Sequence, residues 1–143
     1  MSVNNHKLEK IKNFIYQNDR LFEFLEAKIC GMGEGWAEVK MTVKEKHLNA
    51  AKVCQGGVIF TLADLAFALA SNSYGSLALS IKSSITFFKP AKKGDTLTAK
   101  ATEINRSRKL ATYHIPVHNS ENELIAFFEG TVYIIGTDFI KEI

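Results

Sequence analysis

Hydrophobic side chains recur along the chain with two different periods, and the change of period separates predicted helices from predicted strands. Between residues 6 and 26 the apolar positions are three, four and seven apart, which predicts an amphipathic helix. Asn18 and Asp19 interrupt this pattern, so we expect two short helices. Between 31 and 43, glycines give way to alternating apolar and polar residues, which predicts a β-hairpin.

The most apolar run of the chain begins at Gly56 and Gly57. Its length and alanine content favour a buried helix of about 17 residues, ending at Asn72, over a strand. Residues 71–75 are rich in Ser, Asn and Gly, which commonly end helices. We therefore expect one long central helix.

After this helix the period changes to two, which predicts four antiparallel strands at 77–87, 96–104, 110–118 and 123–135, with a turn at 105–108. Pro116 lacks an N–H, which favours an edge position or a bulge. The last strand is apolar on both faces, as in the middle of a sheet. In the first strand we expect one face to carry Leu77, Leu79, Ile81, Ser83, Ile85 and Phe87, and the other Ala78, Ser80, Lys82, Ser84 and Thr86. This order of elements predicts an α+β fold, with a curved antiparallel sheet wrapped around one apolar helix.

Length and composition agree with one ordinary domain. The chain has 143 residues, 46% of them hydrophobic, so we expect a single domain over 1–143, with a helical extension over 1–26 and a core over 27–136. The sequence shows no secretory leader and no apolar run long enough to span a membrane. Cys30 and Cys54 are read as reduced thiols of a cytoplasmic protein, and the histidines do not form a metal-ligand set.

Positive charge is concentrated in one part of the chain. The net charge of +3 is too small to indicate nucleic-acid binding, but between residues 82 and 109 eight Lys and Arg residues face only Asp95 and Glu103. Such a surplus suits a small polyanionic ligand such as a nucleotide phosphate. A solvated strand surface is an equally good explanation.

Asp64 is the one charged residue of the predicted central helix. An unpaired carboxylate among apolar neighbours is expensive to bury. It either bonds a backbone amide, faces solvent, or serves as a general base or nucleophile in an apolar cleft.

The start of the same helix offers a second chemical group. At Gln55, Gly56 and Gly57, backbone amides have no partner inside the helix, and such amides can stabilise an oxyanion. A plain glycine hinge is the simpler alternative. Gly57 and Asp64 lie seven residues apart, or about 10 Å along a helix. If both act on one carbonyl group, they must therefore come from two subunits related by a two-fold axis.

Together these motifs resemble the hotdog-fold acyl-CoA thioesterases of the phenylacetate-pathway (PaaI-like) type. The resemblance covers about residues 30–136 and rests on both the residue types and their spacing. The matching positions are His47, Asn49, Gln55, Gly56, Gly57, Phe60, Leu62, Ala63, Asp64, Ala66, Phe67, Ala68, Asn72, Ile85, Phe87, Pro90, Gly94, Asp95, Phe128, Gly130 and Tyr133.

The resemblance implies specific roles for these residues. Asp64 matches the catalytic carboxylate, Gly57 the amide that polarises the thioester carbonyl, and Asn49 a residue that holds the nucleophile or water. Ser80 falls where some relatives have a water-positioning serine, although it is expected on the polar face of its strand, where a solvated serine is an equally good explanation. Gln55 stands where most relatives have His, and it can orient groups but carries no proton at neutral pH. The remaining binding candidates are His47, through loop-shaping hydrogen bonds, Gly56, and, for the CoA phosphates, Lys89, Arg106, Arg108 and Lys109.

Three functions follow from this resemblance. The first is hydrolysis of a fatty or aromatic acyl-CoA at a subunit interface, with no separate cofactor or metal, in a homodimer or a dimer of dimers. The second is a hotdog module that binds acyl-CoA without hydrolysing it, which Gln55 favours. The third, a hydratase or dehydratase, fits the pair of Asp64 and Asn49 less well.

Overall fold

The computed structural model describes residues 5–138, so the outermost ends of the predicted domain, 1–4 and 139–143, lie outside the described residues. The predicted N-terminal helices are α1, Asn5–Asn18, and α2, Leu21–Leu25. They separate at Asp19, whose Oδ1 accepts a hydrogen bond from the amide of Leu21. Ile11, Phe22 and Leu25 are the buried residues of these helices.

Six antiparallel strands of residues 5–138 form one sheet with the order β1-β2-β4-β5-β6-β3. The strands are β1 (Lys28–Gly33), β2 (Trp36–Thr42), β3 (Ser76–Phe87), β4 (Thr96–Arg106), β5 (Leu110–His118) and β6 (Leu124–Asp138). Gly35, with φ of 79°, makes the turn of the β1–β2 hairpin, a backbone conformation that favours glycine. This sheet and its helix confirm the predicted hotdog architecture.

The central helix α3 spans Gly56–Ser71 and packs against the inner face of the sheet. Its largest buried side chain, Phe67, contacts Tyr113 of β5 and Phe128 of β6, with ring centroids 5.7 and 5.6 Å apart. Phe60 lies 5.0 Å from the Phe128 ring in an edge-to-face arrangement. These aromatic contacts fix the helix across the middle of the sheet.

The end of α3 is tied to the start of β3 by one buried amide side chain. Asn72 Nδ2 donates to the carbonyls of Ala68 (2.9 Å) and Ala78 (3.2 Å), while its Oδ1 accepts from the Ala78 amide (2.9 Å). Because a buried amide must have its hydrogen bonds satisfied, this arrangement holds β3 in one position relative to the helix.

The predicted faces of β3 are wrong over its first half, because the strand contains a β-bulge. Ser80 pairs with Val132 and Lys82 with Thr131, so Ile81 is an extra residue. The bulge turns Ser80 to the inner face, the face of the buried Val132, instead of the polar outer face. Leu79, 54% exposed, and Ile81, 61% exposed, consequently lie outside the core.

The edge position expected for Pro116 is also wrong. Its strand, β5, lies between β4 and β6, and Pro116 pairs in register with Phe127. The register of β5 with β6 shifts one residue later, between Val117 and His118. The expected bulge is therefore adjacent to the proline rather than at it. No helix within residues 5–138 has the length and hydropathy needed to cross a bilayer.

The contact between Gly130 and Phe67 provides a test of this packing. A Cβ at position 130 would lie 2.6 Å from Phe67 Cζ, so we expect Gly130→Ala to destabilise the fold by about 1–3 kcal/mol through overpacking. Urea unfolding would measure the change, with exposed Ser84→Ala as the control. Equal stability of the two variants would contradict this account of the core.

Candidate active site

A pocket of about 620 Å³ lies beside the middle of α3 and brings two predicted site residues together. Asp64 reaches it from the helix and Ser80 from β3. The remaining lining is mostly apolar and comes from α1, the end of α3 and the start of β3. It includes Phe14, Ile15, Phe67, Leu77, Leu79 and Val132.

Asp64 is half-buried, and within residues 5–138 its carboxylate has neither a hydrogen bond nor an ion pair. Burial raises the pKa of Asp64, and the nearby carboxylate of Asp19 raises it further by repulsion. A carboxylate held in an apolar pocket with a raised pKa is suited to accept a proton or to attack a carbonyl carbon.

Ser83 is a polar neighbour of the site that sequence reasoning missed. Its Oγ lies 3.1 Å from Ser80 Oγ, and it pairs with Gly130, so it shares the inner face with Ser80. In a strand of regular period two, positions 80 and 83 point to opposite faces. Only the bulge at Ile81 brings them together, and nothing in the local sequence signals that bulge.

The N-terminus of α3 is capped by Gln55. Its Oε1 accepts a hydrogen bond of 2.7 Å from the amide of Gly57, the amide predicted to bind the thioester carbonyl. Its backbone carbonyl accepts from the amides of Val58 and Ile59. Of the first four amides of the helix, only that of Gly56 has no recorded partner within the described residues. The amide of Gly56 is therefore open to a ligand. The amide of Gly57 becomes open only when the side chain of Gln55 moves away from it.

Two further predicted residues shape the loop that precedes α3. His47 is buried, its Nδ1 accepts from the Lys44 amide at 2.9 Å, and its carbonyl accepts from the Gln55 amide at 2.8 Å. Burial, with Lys46 nearby, lowers the pKa of His47, which favours a neutral ring. Asn49 Oδ1 accepts from the amides of residues 51 and 53. His47 Nδ1 and Asn49 Oδ1 are therefore used in hydrogen bonds within the loop.

A second, shallower pocket of about 330 Å³ lies beside the start of α3. Gly56, Ile59, Phe87 and Lys89 contribute to its wall. A Cβ at position 56 would lie 3.0 Å from Phe87 Cζ, so glycine allows the ring to approach the helix terminus. Gly56 thus borders a different pocket from that of Asp64 and Ser80.

The four predicted phosphate ligands do not form one cluster within the chain. Lys89 forms an ion pair with Glu123 and lies just after β3, in the segment that leads to β4. The other three cations lie at the opposite end of β4: Arg106 is its last residue, and Arg108 and Lys109 follow it. Eleven residues of strand are about 35 Å long, so about 35 Å separates these cations from the end of the sheet at which β4 begins. One phosphate group cannot contact both ends of the same subunit.

Arg106 is already engaged inside its own chain. Its guanidinium carbon lies 3.8 Å from the centre of the Tyr74 ring, and Nη1 lies 3.7 Å from Glu103 Oε1. Glu103 also accepts hydrogen bonds from the hydroxyls of Tyr74 (2.9 Å) and buried Tyr113 (2.8 Å). A phosphate would compete with these contacts for Arg106. Arg108 is exposed at the same turn, and Lys109 Nζ lies 3.3 Å from the hydroxyl of Tyr133.

The predicted site residues therefore fall into two groups along one helix. Gln55, Gly56 and Gly57 stand at its N-terminus, and Asp64 lies at its middle, where it shares a pocket with Ser80 of β3. Gly57 and Asp64 stand about 10 Å apart along the helix axis. In the part of the chain that the structure describes, no three His, Cys, Asp or Glu side chains are grouped as metal ligands.

Comparison with known proteins identifies the family. A model of the Thioesterase superfamily matches residues 51–126, which include α3, β3, β4, β5 and the start of β6. The chain belongs to the thioesterase superfamily. The matched segment contains Gly57, Asp64 and Ser80, and it leaves out α1, α2, the first hairpin and most of β6.

Individual relatives extend the match beyond this segment of the superfamily. The chain is 57% identical to a putative esterase of Archaeoglobus fulgidus, over 92% of this chain and 86% of the relative. It is 38% identical to acyl-coenzyme A thioesterase PaaI of Escherichia coli, over 92% and 94%, respectively. The solved E. coli PaaI structure superposes with a TM-score of 0.90, covering 93% of this chain and 96% of that one. A Streptococcus mutans protein solved with acetyl-CoA bound is 30% identical, with a TM-score of 0.75 and coverage of 78% and 90%.

The repulsion between Asp19 and Asp64 leads to a prediction about proton affinity. Asp19→Asn keeps an oxygen that can accept the Leu21 amide but removes the negative charge, so we expect the pKa of Asp64 to fall. Carboxyl-carbon NMR titration would measure that pKa, with Glu23→Gln on the neighbouring helix as the control. If the two variants have the same effect on Asp64, its environment has been assigned incorrectly.

Proposed function

We propose that the protein hydrolyses the thioester bond of a fatty or aromatic acyl-CoA. The observation that carries this proposal is the half-buried carboxylate of Asp64, which has no hydrogen bond or ion pair within residues 5–138 and lies in the wall of a largely apolar pocket. Membership of the superfamily and the similarity to E. coli PaaI and to acyl-coenzyme A thioesterase 13 of Pongo abelii, at 31% identity over 75% of this chain, support it.

Two routes are compatible with the position of Asp64. As a general base, its carboxylate takes a proton from water, the water oxygen bonds to the carbonyl carbon, and the C–S bond breaks to release CoA thiol and a carboxylic acid. As a nucleophile, it bonds to the carbonyl carbon itself, expels the thiolate, and water then cleaves the resulting anhydride. In both routes Ser80 is positioned to hold the attacking water, with Ser83 orienting the Ser80 hydroxyl.

The negative charge that develops on the carbonyl oxygen requires donors, and we assign this role to the amides at the start of α3. Gly56 offers its N–H directly, and Gly57 adds a second donor once Gln55 moves away. A helix N-terminus is electrostatically favourable for such an oxygen. This assignment extends the prediction for Gly57 to its neighbour. The chain would supply both the base and the polarising donors, so the reaction we propose uses no metal or separate cofactor.

We further propose that the active unit is a homodimer. Two observations support it: the separation of Gly57 from Asp64 along one helix, and the apolar residues Leu79, Ile81 and Phe87 exposed on edge strand β3. A long, apolar edge strand is an aggregation hazard unless another strand covers it. A second copy on β3 would protect this edge and could bring its own helix N-terminus toward Asp64. Association of two such dimers stays a further proposal.

The CoA moiety would then contact residues from both subunits. The acetyl-CoA seen on the S. mutans relative supports CoA as a ligand of this fold. We propose that its phosphates contact Lys89 of one subunit and Arg108 or Lys109 of the other. Within a single chain these residues lie at opposite ends of the sheet. A cytoplasmic location, where CoA thioesters and the free thiols of Cys30 and Cys54 coexist, fits this function.

One observation favours a second function, acyl-CoA binding without hydrolysis. The side chain of Gln55 occupies the Gly57 amide and has no proton to donate as an acid at neutral pH. If Gln55 does not move when the ligand binds, the oxyanion has one amide fewer. Measured turnover decides between the two functions.

We expect the purified protein to release CoA thiol from at least one acyl-CoA in the presence of a chelator. Asp64→Asn should lower turnover by about two orders of magnitude or more, since it removes the base and nucleophile. A thiol-release assay over short, long and aromatic acyl-CoAs would measure both effects. Acyl-CoA binding without thiol release would instead support the binding module.

The thermal stability of Asp64→Asn provides a second test, and its expected change has a definite direction. Because the folded state disfavours ionised Asp64, Asp64→Asn should match or exceed the wild type in thermal stability at neutral pH. That gain should vanish as the pH falls below the usual carboxyl pKa, where Asp64 is neutral in both folded and unfolded chains. A variant that is less stable yet fully active would show that the carboxylate is structural.

The shared site predicts complementation between two inactive variants. Gly56→Pro removes the open amide at the first position of the helix, where proline is well accepted. The preceding residue, Gln55, has a ψ of 135°, which is the extended conformation that a residue before proline prefers. Co-refolding Gly56→Pro with Asp64→Asn in equal amounts gives half heterodimers, each with one intact site, so about a quarter of wild-type activity should return.

Native mass spectrometry would verify that heterodimers form in this mixture. Each variant refolded alone serves as the control and should stay inactive. An inactive mixture that contains heterodimers would mean that Asp64 works with the amides of its own subunit or not at all.

A further inference from the structure

The pocket that contains Asp64 has a wall that the superfamily match does not include. That match begins at residue 51, whereas Phe14, Ile15, Asn18 and Asp19 of the N-terminal extension line the pocket. Across the pocket from them stand residues of α3 and β3. The family core therefore provides the reacting groups, and α1 closes one side of the space next to them.

The chemistry of this space suits the acyl part of a thioester. Asp64 and Ser80 mark where the carbonyl carbon must lie, and the surrounding lining of Phe14, Ile15 and Leu77 is apolar. A group bonded to that carbonyl on the side away from sulfur has to extend from Asp64 into adjacent space. A hydrocarbon chain or ring there replaces water against apolar side chains, which is favourable.

We propose that α1 is the specificity wall of the acyl pocket, with Phe14 and Ile15 limiting the size of the acyl group. This inference rests on the proposed thioester hydrolysis, because Asp64 and Ser80 define where the acyl group starts. It assigns a function to the N-terminal extension, which lies outside the matched superfamily segment.

The position of α1 is fixed well enough for it to act as a wall. Ile11, one turn before Phe14, is fully buried, and Ile15 packs against the main core. One turn after Phe14, Asn18 Nδ2 donates to the Phe14 carbonyl at 2.8 Å. The Phe14 ring itself is 39% exposed, so it stands at the pocket rather than within the core. A ligand can thus contact the ring while the helix stays anchored.

On the side of α1, away from the proposed position of the partner's helix N-terminus, a small acyl group fits this pocket better than a helix or strand from another subunit. An apolar protein segment seated there would enclose Asp19 and Asp64, two carboxylates that already repel each other. An acyl group instead brings the reacting carbonyl to Asp64 and leaves the mouth of the pocket open to water. We therefore assign the pocket to the acyl group.

The test compares Phe14→Ala with Phe24→Ala in the full-length protein. Phe24→Ala is the matched control, because it removes the same side chain from α2, where Phe24 is 70% exposed and lies outside the pocket. The specificity constant kcat/KM is measured for straight-chain acyl-CoAs from acetyl to palmitoyl and for phenylacetyl-CoA. Phe14→Ala should raise the ratio of long-chain to short-chain kcat/KM by about tenfold or more, since each added methylene gains new room. Phe14→Trp should lower this ratio, and Phe24→Ala should leave it unchanged.

A binding measurement separates this inference from the proposed activity. Calorimetry with non-hydrolysable thioether analogues of the same acyl-CoAs reports chain-length preference even if the wild type releases no thiol. Absence of thiol release by the wild type contradicts hydrolysis. An unchanged chain-length ratio for Phe14→Ala, in turnover or in binding, overturns the role of α1. A changed oligomeric mass with an unchanged ratio also overturns it and assigns the groove to a subunit contact.

Discussion

The need to cover helix α3 is the constraint on which the rest of this structure depends. Nine of its sixteen residues are buried, and the sheet alone covers only one side. The N-terminal helices cover part of another side, with Ile11, Phe22 and Leu25 as their buried contacts. Where neither layer closes completely, a pocket is left, and the helix places its one carboxylate, Asp64, in that gap. Desolvation follows from this position, and it raises the pKa of Asp64 at a cost in stability.

The same helix explains why we propose that one chain cannot complete a site. A rigid α-helix keeps its N-terminal amides and Asp64 about 10 Å apart, and no side-chain rotation removes that separation. Edge strand β3 meanwhile ends the sheet with Leu79, Ile81 and Phe87 exposed. Association through that edge would bury the exposed apolar side chains of β3. It would also supply a second helix N-terminus for the Asp64 of the first chain. Oligomerisation and catalysis would then share one physical cause.

The helix N-terminus and the N-terminal extension separate two tasks of the proposed enzyme. Gln55 holds the Gly57 amide in a hydrogen bond, and in the proposed reaction a substrate would have to replace it, so this residue would affect the rate of the chemical step. Phe14, from outside the matched superfamily segment, lines the pocket that we assign to the acyl group and would limit its size. Variation in the extension would therefore alter selectivity without disturbing the core that positions Asp64.

The sequence by itself determined the main elements and the fold class, and it singled out Asp64 as a candidate reacting group. Length and alanine content predicted α3 to within one residue, because a long run of good helix formers favours a helix over a strand. The isolated charge of Asp64 in that apolar helix left several interpretations open, and a cleft was one of them. Tertiary structure decided what depends on register and on neighbours distant in the chain. The bulge at Ile81 turned Ser80 inward, the strand order placed Pro116 in the interior of the sheet, and folding brought Asp19 close to Asp64. Pairing register and long-range packing are set by the whole fold, and a period of two read along one strand cannot reveal them.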